Sequence, residues 1–191
     1  EPNPADLPSR FERVIASLGT HYRQDSPVLA GAHAAAARAY LNAARSDEAV
    51  DSFGRALIGF SAALGESHAR SLRARFNLAA ALHGSGRPDE AIETLAELRR
   101  LSERHHSPII PLAVRAALLQ ARIADELGLT ERGLLLLRDM QGQLAHLPDA
   151  DTRRRAVEQT LSKLAESACR RARPPLGADC APVLLPAVEP P

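Results

Sequence analysis

Small residues return at a fixed spacing of 42 along this chain, and that spacing restricts its fold more than any other feature. Asp47-Glu48-Ala49, in ARSDEAVDSF, aligns with Asp89-Glu90-Ala91 in GRPDEAIETL. A further step reaches GLTERGLLLL, where Gly133 takes the alanine's place and Thr130 can cap a helix. The preceding segments keep the same step, with Ala37, Ala79 and Ala121 in register. In the middle copy Gly86 suits the end of one helix and Pro88 the first turn of the next, where Asp89 and Glu90 meet the positive end of the dipole. A period of this length marks a repeat array built from one recurring unit. The two small positions in each period fall on two successive helices and let their backbones approach closely. Leu78, Leu82, Leu95 and Leu98 then fill the space around the crossing. The expected fold is all-α, a stack of antiparallel helix pairs.

The same register predicts helices over about 9–22, 27–44, 47–64, 68–85, 88–105, 109–127, 130–146 and 151–172. Repeats then span about 27–67, 68–108 and 109–148, with 9–22 as a partial repeat or a cap. The last helix carries Val157, Thr160, Leu161, Leu164 and Ala168 on one face and charge on the other, as a terminal cap requires. Residues 1–172 form the repeat domain. The tail, 173–191, holds six of the 14 prolines and reads as irregular.

RFNLAAALHGSGRPDEAIETL resembles a tetratricopeptide repeat, with small residues at both crossing positions and Gly86 at the turn. The 42-residue period, with LGESHARSLRARFNLAAAL leading into the central copy, resembles the longer repeats of kinesin light chains and of many bacterial signalling proteins. This chain departs from that pattern at Ala69, where the longer repeat has proline, at Ala44 for the turn glycine, at Gln120 in an apolar position and at Gly133. The resemblance covers about residues 9–146. It implies a right-handed superhelical solenoid with a C-terminal capping helix. It also implies a groove, lined by the first helix of each pair, that takes a protein or extended peptide.

Register places Arg38, Arg73, Asn77, Arg115 and Arg122 on or near that groove. Arg38 and Arg122 share one register, and Arg73 and Arg115 another. Asn77 matches the asparagine that in related repeats bonds the ligand backbone or its terminal carboxylate. Arginine forks and an amide suit acidic groups, a C-terminal carboxylate and extended backbone. The competing reading is a set of solvated charges in a chain whose basic residues are all arginine except Lys163.

Composition excludes several other classes. Basic and acidic residues number 24 and 23, and aromatics are 3%, so neither a basic field nor a stacking surface favours nucleic acid. No stretch approaches the roughly 20 apolar residues that span a bilayer, and no membrane insertion of this segment is expected. The histidines, His21, His33, His68, His83, His105, His106 and His146, show no ligand-pair spacing and read as solvated. No phosphate loop or activated nucleophile emerges, so no enzyme, cofactor or metal is expected.

Cys169 and Cys180 are separated by RRARPPLGAD, which could turn back and let them bond, stabilising by about 3 kcal/mol through loop closure. Such a bond implies an oxidising compartment. The alternative is two unrelated thiols in the cytoplasm. The opening EPNPADLP lacks methionine and reads as a processed product or an excised domain, which tips the reading to the periplasm. The expected function is ligand recognition within a larger bacterial signalling or regulatory protein. The alternative is a scaffold that self-associates into a homo-oligomer through its terminal helices.

Overall fold

The structure is a computed structural model that describes residues 7–103 and 111–172. These are helical throughout apart from turns: α1 (Leu7–Gly19), α2 (Pro27–Asn42), α3 (Ser46–Leu64), α4 (Ala69–Gly84), α5 (Pro88–Glu103), α6 (Pro111–Glu126), α7 (Thr130–Gln143) and α8 (Thr152–Ala172). The proline-rich tail and the segment between α5 and α6 lie outside the described residues. The chain divides into two compact units after Ala116, within α6.

Local chemistry starts and stops these helices where the register requires. Ser26 caps α2 by accepting the Val28 N–H at 3.2 Å, with Pro27 in the first turn. His68 caps α4, its Nδ1 accepting the Arg70 N–H at 3.2 Å. After α4 the chain turns at Gly86, whose φ is 77°, and the Arg87 N–H returns to the Leu82 carbonyl at 2.9 Å. Gly128 (φ 78°) and Ala44 (φ 57°) make the same left-handed turn one period later and one earlier. Leu129 N–H donates to the Ala124 carbonyl and Arg45 N–H to the Tyr40 carbonyl, repeating the bond at each turn.

In the first unit α1 packs on α2, α2 on α3, α3 on α4 and α4 on α5. Ala37, Ala49, Ala79 and Ala91 have no exposed surface, as the helix-crossing positions should. Ala30, Ala56, Phe60 and Ala74 form a shared core of three helices, with Leu57 packed against it. A Cβ added at Gly59 would lie 2.9 Å from the Ala30 Cβ, so α2 and α3 meet at close range. Such contacts explain why alanine rather than larger apolar residues dominates these helices.

In the second unit Ala121, Ile123, Leu137, Leu144 and Val157 are fully buried. Gly133 departs from the repeat pattern because alanine would not fit. An added Cβ would stand 2.9 Å from both the Ala121 carbonyl oxygen and Leu164 Cδ2 of α8. Val157 and Leu164 are the buried residues of α8, while Thr160, Leu161 and Ala168 are partly covered. A polar clamp completes the contact of α8 with the turn between α6 and α7. Arg171 donates to Thr130 Oγ1 at 2.6 Å and to the Asp125 carbonyl at 2.8 Å, and Ser167 donates to the Asp125 carboxylate.

Candidate functional site

A cleft of about 530 Å³ opens on the first unit between the first two turns of α4 and the start of α6. Ser67, Ala69, Leu72, Arg73, Phe76, Asn77, Pro111, Leu112 and Arg115 line it. The sequence places them there in a simple way. Arg73, Phe76 and Asn77 lie three and four residues apart on α4, so they share one helix face. Leu72 is buried at the base and ties that face to the core. The Ser71 hydroxyl donates to the Gly65 carbonyl at 2.7 Å, holding the α3–α4 connection that brings Ser67 to the rim.

The cleft joins three of the five residues predicted to bind, Arg73, Asn77 and Arg115. Arg115 lies over Phe76, its guanidinium carbon 4.6 Å from the ring centroid. An exposed contact of this kind contributes about 0.5–1 kcal/mol. Arg73 and Asn77 make no side-chain hydrogen bond or ion pair among the described residues. Two cations and an amide thus face one cavity, with an apolar floor from Leu72, Phe76 and Leu112. This arrangement can take a carboxylate on the guanidinium groups, backbone on the amide, and an apolar side chain on the floor.

Arg38 and Arg122 are exposed on α2 and α6 and do not line the cleft. The position on α2 in register with Arg73 and Arg115 is Gly31, and those matching Phe76 and Asn77 are Ala34 and Ala35. The first repeat therefore offers no equivalent polar side chains. Register alone missed Phe76, although its place beside Asn77 and one turn after Arg73 marked it. Cys169 lies on α8, while Cys180, His105 and His106 lie outside the described residues.

His33 corrects the reading of the histidines as solvated. It is 9% exposed, because the α2 face that carries it is covered by α1 and α3. It lines a second cleft, of about 300 Å³, with Glu12, Ile15, Ala16, Tyr40, Glu48, Asp51, Ser52 and Arg55. Burial, and then the nearby Arg55 charge, hold its pKa below the ordinary histidine value. Tyr40 donates its hydroxyl to Glu12, and burial followed by this bond pushes its pKa up to about 12. No group of three His, Cys, Asp or Glu side chains among the described residues could hold a metal ion. No described helix is long and apolar enough to cross a membrane.

Comparison with protein families matches residues 28–104 to the tetratricopeptide repeat. Residues 28–104 belong to the tetratricopeptide repeat family. Among solved structures, the nearly identical tetratricopeptide-like repeats of a kinesin-light-chain-type protein from Podosopora anserina match with a TM-score of 0.78 and 20% identity. That match covers 88% of this chain and 81% of the other. A single-substitution variant of the same protein matches with the same TM-score and identity, covering 88% and 80%. At this identity the likeness establishes the fold: helix pairs of the tetratricopeptide type. Comparison with curated protein sequences finds no match. Tetratricopeptide repeats are in general protein-interaction modules.

Proposed function

We propose that this chain is a protein- or peptide-binding tetratricopeptide domain whose ligand enters the cleft of Arg73, Phe76, Asn77 and Arg115. The observation that carries this reading is the convergence of two register-equivalent arginines and an asparagine on one cavity. The ligand is an extended segment bearing acidic side chains or a free C-terminal carboxylate. In this reading the domain is the recognition part of a larger bacterial signalling or regulatory protein and catalyses no reaction. Residence in the periplasm goes with the proposed bond between Cys169 and Cys180. Intact mass after alkylation of natively isolated protein without reductant tests that bond, and two alkylated thiols would reject it.

The binding test uses fluorescence anisotropy with three labelled peptides: acidic with a free C-terminus, acidic with an amidated C-terminus, and basic. Both acidic peptides should bind more tightly than the basic one. The amidated form should be weaker if the terminal carboxylate is read. Hydrogen bonds to charged groups contribute about 1.5–3 kcal/mol, so Arg73→Glu with Arg115→Glu should weaken binding at least about tenfold. Both side chains are exposed, and the fold should survive. Arg10→Glu, on an exposed part of α1 outside the cleft, should change little. Equal affinity of the folded double variant and the parent would overturn the assignment. Concentration-dependent size in the absence of peptide would favour the self-associating scaffold instead.

A further inference from the structure

The second cleft uses a different face of the first helices. Its α2 residues are His33 and Tyr40, two turns apart on one stripe, whereas the α4 residues of the first cleft match Gly31, Ala34 and Ala35. A ligand here therefore needs no access to Arg73 or Asn77.

Two independent observations define its chemistry. Glu12, Glu48 and Asp51 set three carboxylates against the single guanidinium of Arg55, so the lining carries a net negative charge with His33 neutral. Two of these acids already hold partners, Glu12 taking the Tyr40 hydroxyl and Glu48 the Arg45 guanidinium at 2.8 Å. Asp51 is exposed and makes no ion pair among the described residues. The other observation is His33. The residue is 9% exposed, lines the cavity, and makes no hydrogen bond among the described residues. A neutral imidazole presents one acceptor nitrogen. Ile15 and Ala16 supply an apolar wall beside these groups.

We infer that this cleft binds a cationic side chain, the guanidinium or ammonium group of a basic residue on a partner protein. Asp51 takes the charge, the free acceptor of His33 takes one N–H, and Ile15 and Ala16 cover the aliphatic stem. The cavity volume suits one such side chain rather than a folded surface. Protonation of His33 removes the acceptor and adds a like charge, so binding weakens as pH falls. The groups facing His33 are Glu12 on α1, Tyr40 on α2, and Glu48, Asp51 and Arg55 on α3. Of the groups facing it, Glu48 has its pKa held below the ordinary carboxylate value by hydrogen bonds, the largest from backbone and the next from Arg45.

The experiment titrates the full chain with Nα-acetyl-arginine amide, Nα-acetyl-lysine amide, the neutral isostere Nα-acetyl-citrulline amide and Nα-acetyl-aspartate amide. The readout is the His33 ring resonance of histidine-labelled protein at pH 7.5 and 5.5, assigned with His33→Gln. Saturable shifts are expected from one or both cations and at most a tenth of that affinity from citrulline. The arginine and lysine arms decide between guanidinium and ammonium. Affinity should be lower at pH 5.5 than at pH 7.5, and should fall at least fivefold in Asp51→Asn. Response to citrulline or aspartate equal to that of the cations, or no saturable shift from any probe, would overturn the proposal. The citrulline comparison is made on the unaltered chain, so the decision does not depend on the folding of a variant. Acidic-peptide binding at the first cleft should not change with Asp51→Asn, which separates this site from the function proposed above.

Discussion

At Ala44 the backbone takes φ 57°, a conformation in which an L side chain crowds the following carbonyl. Gly86 and Gly128 make the same turn without that strain. Ala44→Gly should therefore stabilise the first unit by about 1 kcal/mol, the relief of strain exceeding the extra entropy of an unfolded glycine. Urea melts of the variant and parent measure it, and a loss of stability would show that the turn does not need the left-handed region. His33 provides a pH-dependent counterpart. Its folded pKa lies below its unfolded value, so its contribution is complete above the unfolded pKa of about 6.5 and is lost as pH falls toward the folded one. In that window the unfolded chain binds more protons, and stability rises with pH. His33→Gln should flatten the slope of melting midpoint against pH below about pH 6.5, and an unchanged slope would place its cause elsewhere.

The helix crossings are where element-scale predictions belong. Ala79 and Ala91 are fully buried, so replacing either with leucine should overpack α4 against α5 and cost about 1–3 kcal/mol. Ala96 is exposed on the same helix as Ala91, and Ala96→Leu should cost almost nothing. Matching urea melts for all three would contradict the crossing. Gly133→Ala should also destabilise, by about 1–3 kcal/mol, because the added methyl would meet a backbone carbonyl that cannot turn aside. This element-scale order was readable in advance: the alanine register located both helices of each pair, and the cap residues located their ends. The meaning of Gly133 was not. Sequence shows only that it is small, while its closeness to Ala121 and Leu164 depends on α8 arriving from further along the chain.

For the molecule as a whole, a repeat array distributes stability through neighbouring contacts, so damage at one end stays local. Arg171→Ala removes its hydrogen bonds to Thr130 and to the Asp125 carbonyl. Its side chain is half exposed, and the expected cost is about 1 kcal/mol. Hydrogen exchange should show faster exchange in α7 and α8 with α2 to α4 unchanged. Uniform loss of protection through every helix would mean that the chain unfolds as one cooperative body.

By itself the sequence determined the helices, the 42-residue period and the small residues at the crossings, because each depends on local propensity or on a spacing that survives in one dimension. It also placed Arg73, Asn77 and Arg115 on first helices, since register carries a residue's face from repeat to repeat. Only the tertiary structure decided which of those residues share a cavity. Arg115 meets Phe76 because two helices separated by α5 come together, whereas Arg38 stands on a repeat whose matching positions are glycine and alanine. The burial of His33 was equally out of reach: nothing in its neighbours along the chain distinguishes it from a solvated histidine, and only the packing of α1 and α3 over α2 removes it from water.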